Sequence, residues 1–63
     1  MENYIVLYRD DFTQFVEAFA CQADDYDHAE EQATNAYPNV QIILAHQGNS
    51  VVYQGVTYSL NRI

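Results

Sequence analysis

Residues 23–38 read Ala-Asp-Asp-Tyr-Asp-His-Ala-Glu-Glu-Gln-Ala-Thr-Asn-Ala-Tyr-Pro and form the only stretch of the chain with a clear helical period. Carboxylates at its start meet free backbone N–H groups and the positive end of the helix dipole, so Asp24 or Asp25 is the expected N-cap. The helix is expected to end before Pro38, because the residue preceding a proline disfavours helical angles. The spacing places one group of side chains on a single face, the face expected to pack on a sheet: Tyr26, Ala29, Ala33, Ala36 and Tyr37.

Strand-like sequence lies on both sides of the predicted helix. Residues 3–9 are β-branched and aromatic with almost no polar break, which predicts a central strand covered on both faces. Residues 40–46 predict another strand, and residues 47–50 (Gln-Gly-Asn-Ser) predict a hairpin turn after it. A last strand is predicted over residues 51–60, interrupted by a bulge or break at Gly55. In the strand over 40–46, simple alternation groups four side chains on one face: Val40, Ile42, Leu44 and His46.

Residues 14–22 fit two structures. As a strand, they place Phe15, Phe19 and Cys21 on one face; as a helix, they align Phe15 and Phe19 with Phe12 and Val16. We prefer the strand, joined to the first by a turn at residues 10–13, because a separate helix start follows immediately. The predicted fold class is therefore α+β, a two-layer ββαββ-type single domain over residues 1–63, with one helix packed on a mainly antiparallel sheet.

Charge is distributed unevenly along the chain. Nine acids face two arginines, and every acid lies at or before Glu31, so residues 1–31 carry a net charge of −8 and residues 32–63 a net charge of +1. Such an acidic half repels nucleic acid and anionic membranes, and favours a basic partner. Five carboxylates near the helix start are the predicted partner-binding residues: Asp24, Asp25, Asp27, Glu30 and Glu31. The alternative interpretation is a solvated face that keeps a small protein in solution.

Several classes of function have little support in the sequence. Cys21 is the only cysteine, so an intramolecular disulfide and a cysteine-based zinc site are both excluded. No apolar run approaches the roughly 18 residues of a transmembrane helix, and no signal-peptide layout is present, so we expect a cytoplasmic protein. We expect no cofactor. Six tyrosines suggest base stacking, but two arginines are too few to bind phosphates. Core-edge packing is the simpler interpretation of four of them: Tyr4, Tyr8, Tyr26 and Tyr37.

Two groups of side chains could carry chemistry, and each also has a purely structural explanation. His28 could share an ion with Asp24 and with Glu31 or Gln32, but acids also gather at a helix start because the dipole stabilises them. We therefore predict no metal there. Cys21 and His46 are a conceivable nucleophile and base. Nothing orients the histidine and no glycine-rich loop lies near the thiol, so we predict that Cys21 is a core residue and that the chain is not an enzyme.

Residues 19–38 resemble a group of small uncharacterised proteins of tailed bacteriophages. The shared pattern is a strand ending in an aromatic, a cysteine and an alanine, then acids, His28-Ala29-x-x-Gln32, and Ala36-Tyr37-Pro38 before another strand. The resemblance implies a phage origin rather than an activity. Small phage proteins often bind and block a host enzyme, which implies a host partner with a basic, nucleic-acid-handling surface. The alternative hypothesis is an assembly role, with a homodimer formed through open sheet edges.

Overall fold

The computed structural model of the chain describes residues 1–59 and confirms the predicted fold class, one helix packed on a mainly antiparallel sheet. A three-stranded sheet has the order β2-β1-β3, and a separate two-stranded hairpin pairs β4 with β5. Both neighbours of β1 are antiparallel to it, so β2 and β3 run parallel and α1 forms the crossover between them. The elements are β1 (Glu2–Asp10), β2 (Val16–Ala23), α1 (Tyr26–Ala36), β3 (Val40–Gln47), β4 (Ser50–Tyr53) and β5 (Val56–Ser59).

The first strand is central, as its unbroken apolar sequence predicts. All residues from Tyr4 to Tyr8 are buried, and Val6 and Leu7 are wholly inaccessible to solvent. Val6 joins Tyr4 in the core beneath the helix, whereas the intervening Ile5 is just as deeply buried on the opposite face of the sheet. Burial on both faces removes the need for polar alternation, which is why the run has none.

Residues 16–23 form a strand, which confirms the preferred interpretation of the ambiguous segment. β2 pairs with β1 from Arg9 opposite Val16 to Glu2 opposite Ala23. Phe19 and Cys21 pack against the core under the helix, as strand alternation predicts. Phe15 does not share that face, because it precedes the strand and lies exposed in the connecting loop.

The helix begins at the predicted position, and Asp25 rather than Asp24 is its N-cap. The Asp25 side chain accepts a hydrogen bond from the His28 backbone N–H at 2.8 Å. Ala29 and Ala33 are completely buried, and their small side chains let the helix lie close to the sheet. The prediction that Ala36 lies on the buried face is wrong: it is the last helical residue and is exposed, and the large ring of the following Tyr37 makes the contact with the sheet at this end of the helix.

A bulge in β3 makes the predicted face of this strand wrong. Leu7 pairs with Leu44 but Tyr8 pairs with Ile42, so Ile43 is an extra residue opposite β1. One inserted residue reverses the alternation that follows it. Ile42 therefore packs against the core under the helix, whereas Leu44, two residues later, lies on the other face.

The segment after β3 also differs from the sequence prediction. Residues 47–50 do not close a hairpin between β3 and the next strand; instead, the Gly48 N–H donates to the Asn3 carbonyl at 2.7 Å. The hairpin turn lies at Gln54 and Gly55, whose φ angles of 51° and 80° suit the tight two-residue turns that right-twisted strands prefer. The predicted single strand over 51–60 is thus β4 and β5, and position 60 lies outside the described residues.

Candidate protein-binding surface

The five predicted carboxylates lie just before α1 and within its first two turns. Asp24 and Asp25 lie in the link from β2 to α1, Asp27 lies in the first helical turn, and Glu30 and Glu31 lie in the next turn. All are exposed except Glu30, which is half-buried. Asp27 and Glu31 are four residues apart and project side by side on the solvent face. We call Asp24, Asp27, Glu30 and Glu31 the acidic face.

Asp25 has a different task from the other four carboxylates. Its side chain accepts the His28 N–H and its carbonyl accepts the Ala29 N–H at 3.1 Å, so it closes the first turn of the helix. A carboxylate at this position satisfies an otherwise unpaired donor and complements the helix dipole. The sequence predicts that Asp25 binds a partner, whereas its hydrogen bonds in the structure show that it caps the helix.

The His28 side chain contacts residues in the helix and near the end of β2. Its Nδ1 lies 3.2 Å from the Asp24 backbone N–H, and its Nε2 lies 3.3 Å from the Gln32 amide nitrogen, which itself donates to the Gln22 carbonyl at 2.8 Å. A neutral imidazole has one acceptor nitrogen, so His28 accepts from one of these donors and not from both. The half-buried ring is a packing and hydrogen-bonding element of the helix start.

The carboxylates around His28 do not converge on a common point. The Asp24 Oδ2 atom is 3.9 Å from His28 Nδ1, too far for a strong hydrogen bond. Over residues 1–59, no group of three histidine, cysteine or acidic side chains is arranged to hold a metal ion. The interpretation of this cluster as a metal site therefore has no geometric support in the described part of the chain.

Cys21 and His46 lie on opposite faces of the three-stranded sheet. Cys21 packs with the core under the helix, whereas His46 pairs with Ile5 on the other face, and β1 separates the two strands that carry them. Burial raises the pKa of the Cys21 thiol, which disfavours the thiolate that a nucleophile requires. This pair cannot act as nucleophile and base, and Cys21 is a partly buried residue that packs against the core.

The four tyrosines considered for base stacking contact other aromatic rings between helix and sheet. Tyr4 meets Tyr26 edge-on with 5.2 Å between ring centroids, and Tyr8 stacks on Tyr37 at the same centroid distance. Tyr4 and Tyr8 are buried, while Tyr26 and Tyr37 are about half exposed at the two ends of the helix. Their arrangement is the core-edge packing that their amphipathic side chains predict.

Two phenylalanines lie at the surface, which the sequence-based predictions do not include. Phe12 is 89% exposed and Phe15 is 68% exposed, both in the loop between β1 and β2. The signal was present in the turn residues Asp10, Asp11 and Thr13, which place Phe12 inside a turn rather than in an element that packs. The predicted strand over 14–22 includes Phe15 and places it on one face with Phe19 and Cys21, whereas β2 begins at Val16.

The negative charge of this surface is almost unpaired. Among residues 1–59 there are nine acids and a single arginine, Arg9. The one ion pair in that part of the chain is the long contact between Asp24 and His28, which is charged only when the imidazole is protonated. Like charges four residues apart on a helix, as at Asp27 and Glu31, destabilise it by several tenths of a kcal/mol. A cationic partner would relieve that repulsion.

The part of the chain that the structure describes contains no detected cavity. The one helix, α1, has 11 residues, and no helix within residues 1–59 is long and apolar enough to cross a membrane. In comparisons with known proteins, no family model, no curated protein and no solved structure was found to match the chain.

Proposed function

We propose that this chain is a non-enzymatic binding protein that attaches its acidic face to a basic, nucleic-acid-handling surface of a host protein and blocks it. The observation that carries the proposal is the unpaired charge of Asp27 and Glu31, exposed side by side on the solvent face of α1. A basic groove built for phosphates supplies the lysines and arginines that such carboxylates bind. The resemblance of residues 19–38 to small phage proteins supports a host cell, and its cytoplasm, as the setting.

The packing of α1 on the sheet holds the acidic face in one conformation. Ala29 and Ala33 pack the helix closely against the sheet, and Asp25 caps its first turn. The carboxylates of Asp27 and Glu31 therefore project from a well-ordered helix. A rigid array of charges loses little conformational entropy on association. Long-range attraction to a cationic groove would also accelerate encounter, with a strong dependence on ionic strength.

The test is affinity capture from bacterial lysate with the purified chain, eluted in steps of rising salt and analysed by mass spectrometry. The proposal expects one dominant nucleic-acid-handling enzyme that elutes with salt. Duplex or single-stranded DNA should then compete with the chain for that purified enzyme. Capture of no protein, or of an enzyme that binds chain and DNA simultaneously without competition, would contradict the proposal.

A second candidate, assembly into a homodimer, is favoured by the outer edge of β3. Residues 40–47 form an eight-residue edge strand with no charged side chain, and in the part of the chain that the structure describes no strand pairs with its outer side. Bare edges of this kind pair readily with a second strand. Sedimentation velocity over a wide concentration range tests it: a dimer that dissociates on dilution supports assembly, and a monomer at every concentration opposes it.

A further inference from the structure

The loop between β1 and β2 holds its own backbone rigidly. The Asp10 carboxylate accepts hydrogen bonds from the backbone N–H groups of Phe12 at 2.7 Å and Thr13 at 3.0 Å. The Asp10 carbonyl accepts from the Gln14 N–H at 2.8 Å, and the Asp10 N–H donates to the Phe15 carbonyl at 3.0 Å. We call residues 10–15 the aromatic loop.

Further bonds complete the loop and fix an unusual backbone conformation. The Gln14 side-chain amide donates to the Asp11 carbonyl at 2.9 Å, and the Phe15 N–H donates to the Thr13 hydroxyl at 3.2 Å. Gln14 has a φ of 64°, in the left-handed region that a glutamine seldom adopts. The loop therefore keeps a strained conformation in which the backbone N–H groups of residues 12–15 are all hydrogen-bonded.

This rigid loop presents two large apolar rings to solvent. Phe12 and Phe15 are the two phenylalanines of the chain that do not pack in the core, and they are far more exposed than Phe19 in the adjoining strand. Exposed aromatic side chains on a pre-ordered backbone are the anchors that protein interfaces favour, because their apolar area is buried at little entropic cost. Neither ring belongs to the core cluster under the helix.

We propose that the aromatic loop is a docking element that inserts Phe12 and Phe15 into an apolar pocket with a basic rim on another protein. The rim is inferred from charge: Asp11 lies within the loop and Glu17 two residues after Phe15, both exposed, and Asp10 lies at the base of the loop. Arg9 is the one cation close by in sequence. A neutral or acidic pocket would leave these carboxylates opposed or unpaired at the edge of the contact.

Two other occupants fit the same observations less well. A second copy of the chain offers no cavity for a phenyl ring within residues 1–59 and carries the same negative charge. A bilayer surface that is anionic repels a chain with a net charge of −7, and the loop has no lysine to offset that repulsion. A protein pocket is the occupant that accommodates both the rings and the acids.

The aromatic loop is separate from the acidic face. The loop joins the ends of β1 and β2 where Arg9 pairs with Val16, whereas the helix starts at the other end of β2, beyond Ala23. The eight residues of β2 place the two surfaces about 25 Å apart at the rise of an extended strand. Loss of binding at one surface can therefore be distinguished from loss at the other.

The test places the photo-crosslinker p-benzoylphenylalanine at position 12 or 15 of the full chain, with position 52 as matched control. Val52 is 67% exposed on the hairpin, so it reports non-specific apolar capture. Each version is irradiated in bacterial lysate. The proposal expects one protein, other than the chain itself, crosslinked from 12 and 15 but not from 52. Excess unmodified chain should prevent the crosslink, and an F12S/F15S chain should not.

Direct titration of the purified crosslinked protein completes the test. F12S/F15S should bind roughly tenfold more weakly or worse than the unmodified chain, with an unchanged melting temperature because neither ring packs in the core. D27K/E31K, which alters the acidic face, should still crosslink from position 12. Asp10→Ala should weaken binding while keeping both rings, and Asp10→Asn, which retains the acceptor oxygen, should restore it.

Four outcomes would overturn the proposal. They are equal affinity of F12S/F15S and the unmodified chain, no crosslink from either loop position, a crosslink only to a second copy of the chain, and loop-dependent co-sedimentation with vesicles. The vesicles are phosphatidylcholine alone or mixed with phosphatidylglycerol, and sedimentation lost in F12S/F15S would assign the loop to a membrane.

Discussion

The ring of Tyr37, just past the end of the helix, stacks on the ring of Tyr8 in the central strand, with 5.2 Å between centroids and 21° between planes. Phe19 meets the same Tyr37 ring edge-on at 6.0 Å. These contacts fix the C-terminal end of the helix on the sheet, opposite the end that carries the acidic face. Aromatic pairs in such geometries contribute about 0.5–1.5 kcal/mol beyond the area they bury.

Removing this ring should loosen the helix without altering the acidic face. Tyr37→Ala should lower the free energy of unfolding by about 1–2 kcal/mol, since it loses the stack on Tyr8 and the contact with Phe19. Tyr37→Phe keeps both ring contacts and should retain most of the stability. Urea denaturation followed by circular dichroism measures both values, and an equal loss in the two variants would show that the hydroxyl, not the ring, is what matters.

High pH should destabilise the fold through its buried tyrosines. Burial, and then the neighbouring tyrosine, raise the pKa of both Tyr4 and Tyr8 above the ordinary value of 10.0. The unfolded chain therefore loses these protons first, and the free energy of unfolding should fall as pH rises above about 10. Tyr8→Phe should flatten that fall. A fall of the same slope in this variant would show that Tyr8 does not contribute to it.

Asp25 caps the helix and the adjacent Asp24 does not, so the two aspartates should differ in their effect on stability. Asp25→Ala should lower the free energy of unfolding by about 1 kcal/mol, because the His28 N–H loses its acceptor. Asp24→Ala is the matched control and should change stability by less than about 0.5 kcal/mol, since its contact with His28 is long and exposed. Thermal denaturation of both variants decides the assignment; a larger loss at Asp24 would reverse it.

Because the helix packs closely on the sheet, the free energy of unfolding should depend on the volume of the side chains between them. Ala33 is fully buried against the sheet, so Ala33→Leu should overpack the interface and lower the free energy of unfolding by about 1–3 kcal/mol. Ala36→Leu adds the same atoms at an exposed position and should be neutral within about 0.5 kcal/mol. Chemical denaturation of the pair is the measurement, and a neutral Ala33→Leu would contradict the close approach of helix and sheet.

Local patterns predicted the elements whose signals are local. The apolar run at residues 3–9 specified a central strand, and the aspartates before Tyr26 with Pro38 bounded the helix. The bulge at Ile43 was not predictable, because it depends on the register with Leu7 and Tyr8 rather than on any turn residue. The hairpin turn at Gln54 and Gly55 differs from the predicted interruption of a single strand, because a glycine in a strand-like run fits either a bulge or a turn.

The surfaces were predictable only in part, for a related reason. Charge is visible in composition, so the acidic face could be proposed from the sequence. The capping role of Asp25 could be recognised only once the first residue of the helix was known. The separation of Cys21 from His46 by the plane of the sheet required the strand order and the bulge. The exposure of Phe12 and Phe15 required the end of the loop to be placed one residue before Val16.

The most direct test of the central claim compares two matched changes of net charge in the same capture experiment. D27K/E31K alters the acidic face, and Q41K/Q47K/V52K/T57K raises the net charge by the same amount at exposed residues outside both the acidic face and the aromatic loop. After circular dichroism shows both variants folded, the amount of host enzyme captured from lysate at low salt is measured. We predict at least about tenfold less enzyme with D27K/E31K and nearly full capture with Q41K/Q47K/V52K/T57K. Equal capture by the two variants would contradict a binding role for the acidic face.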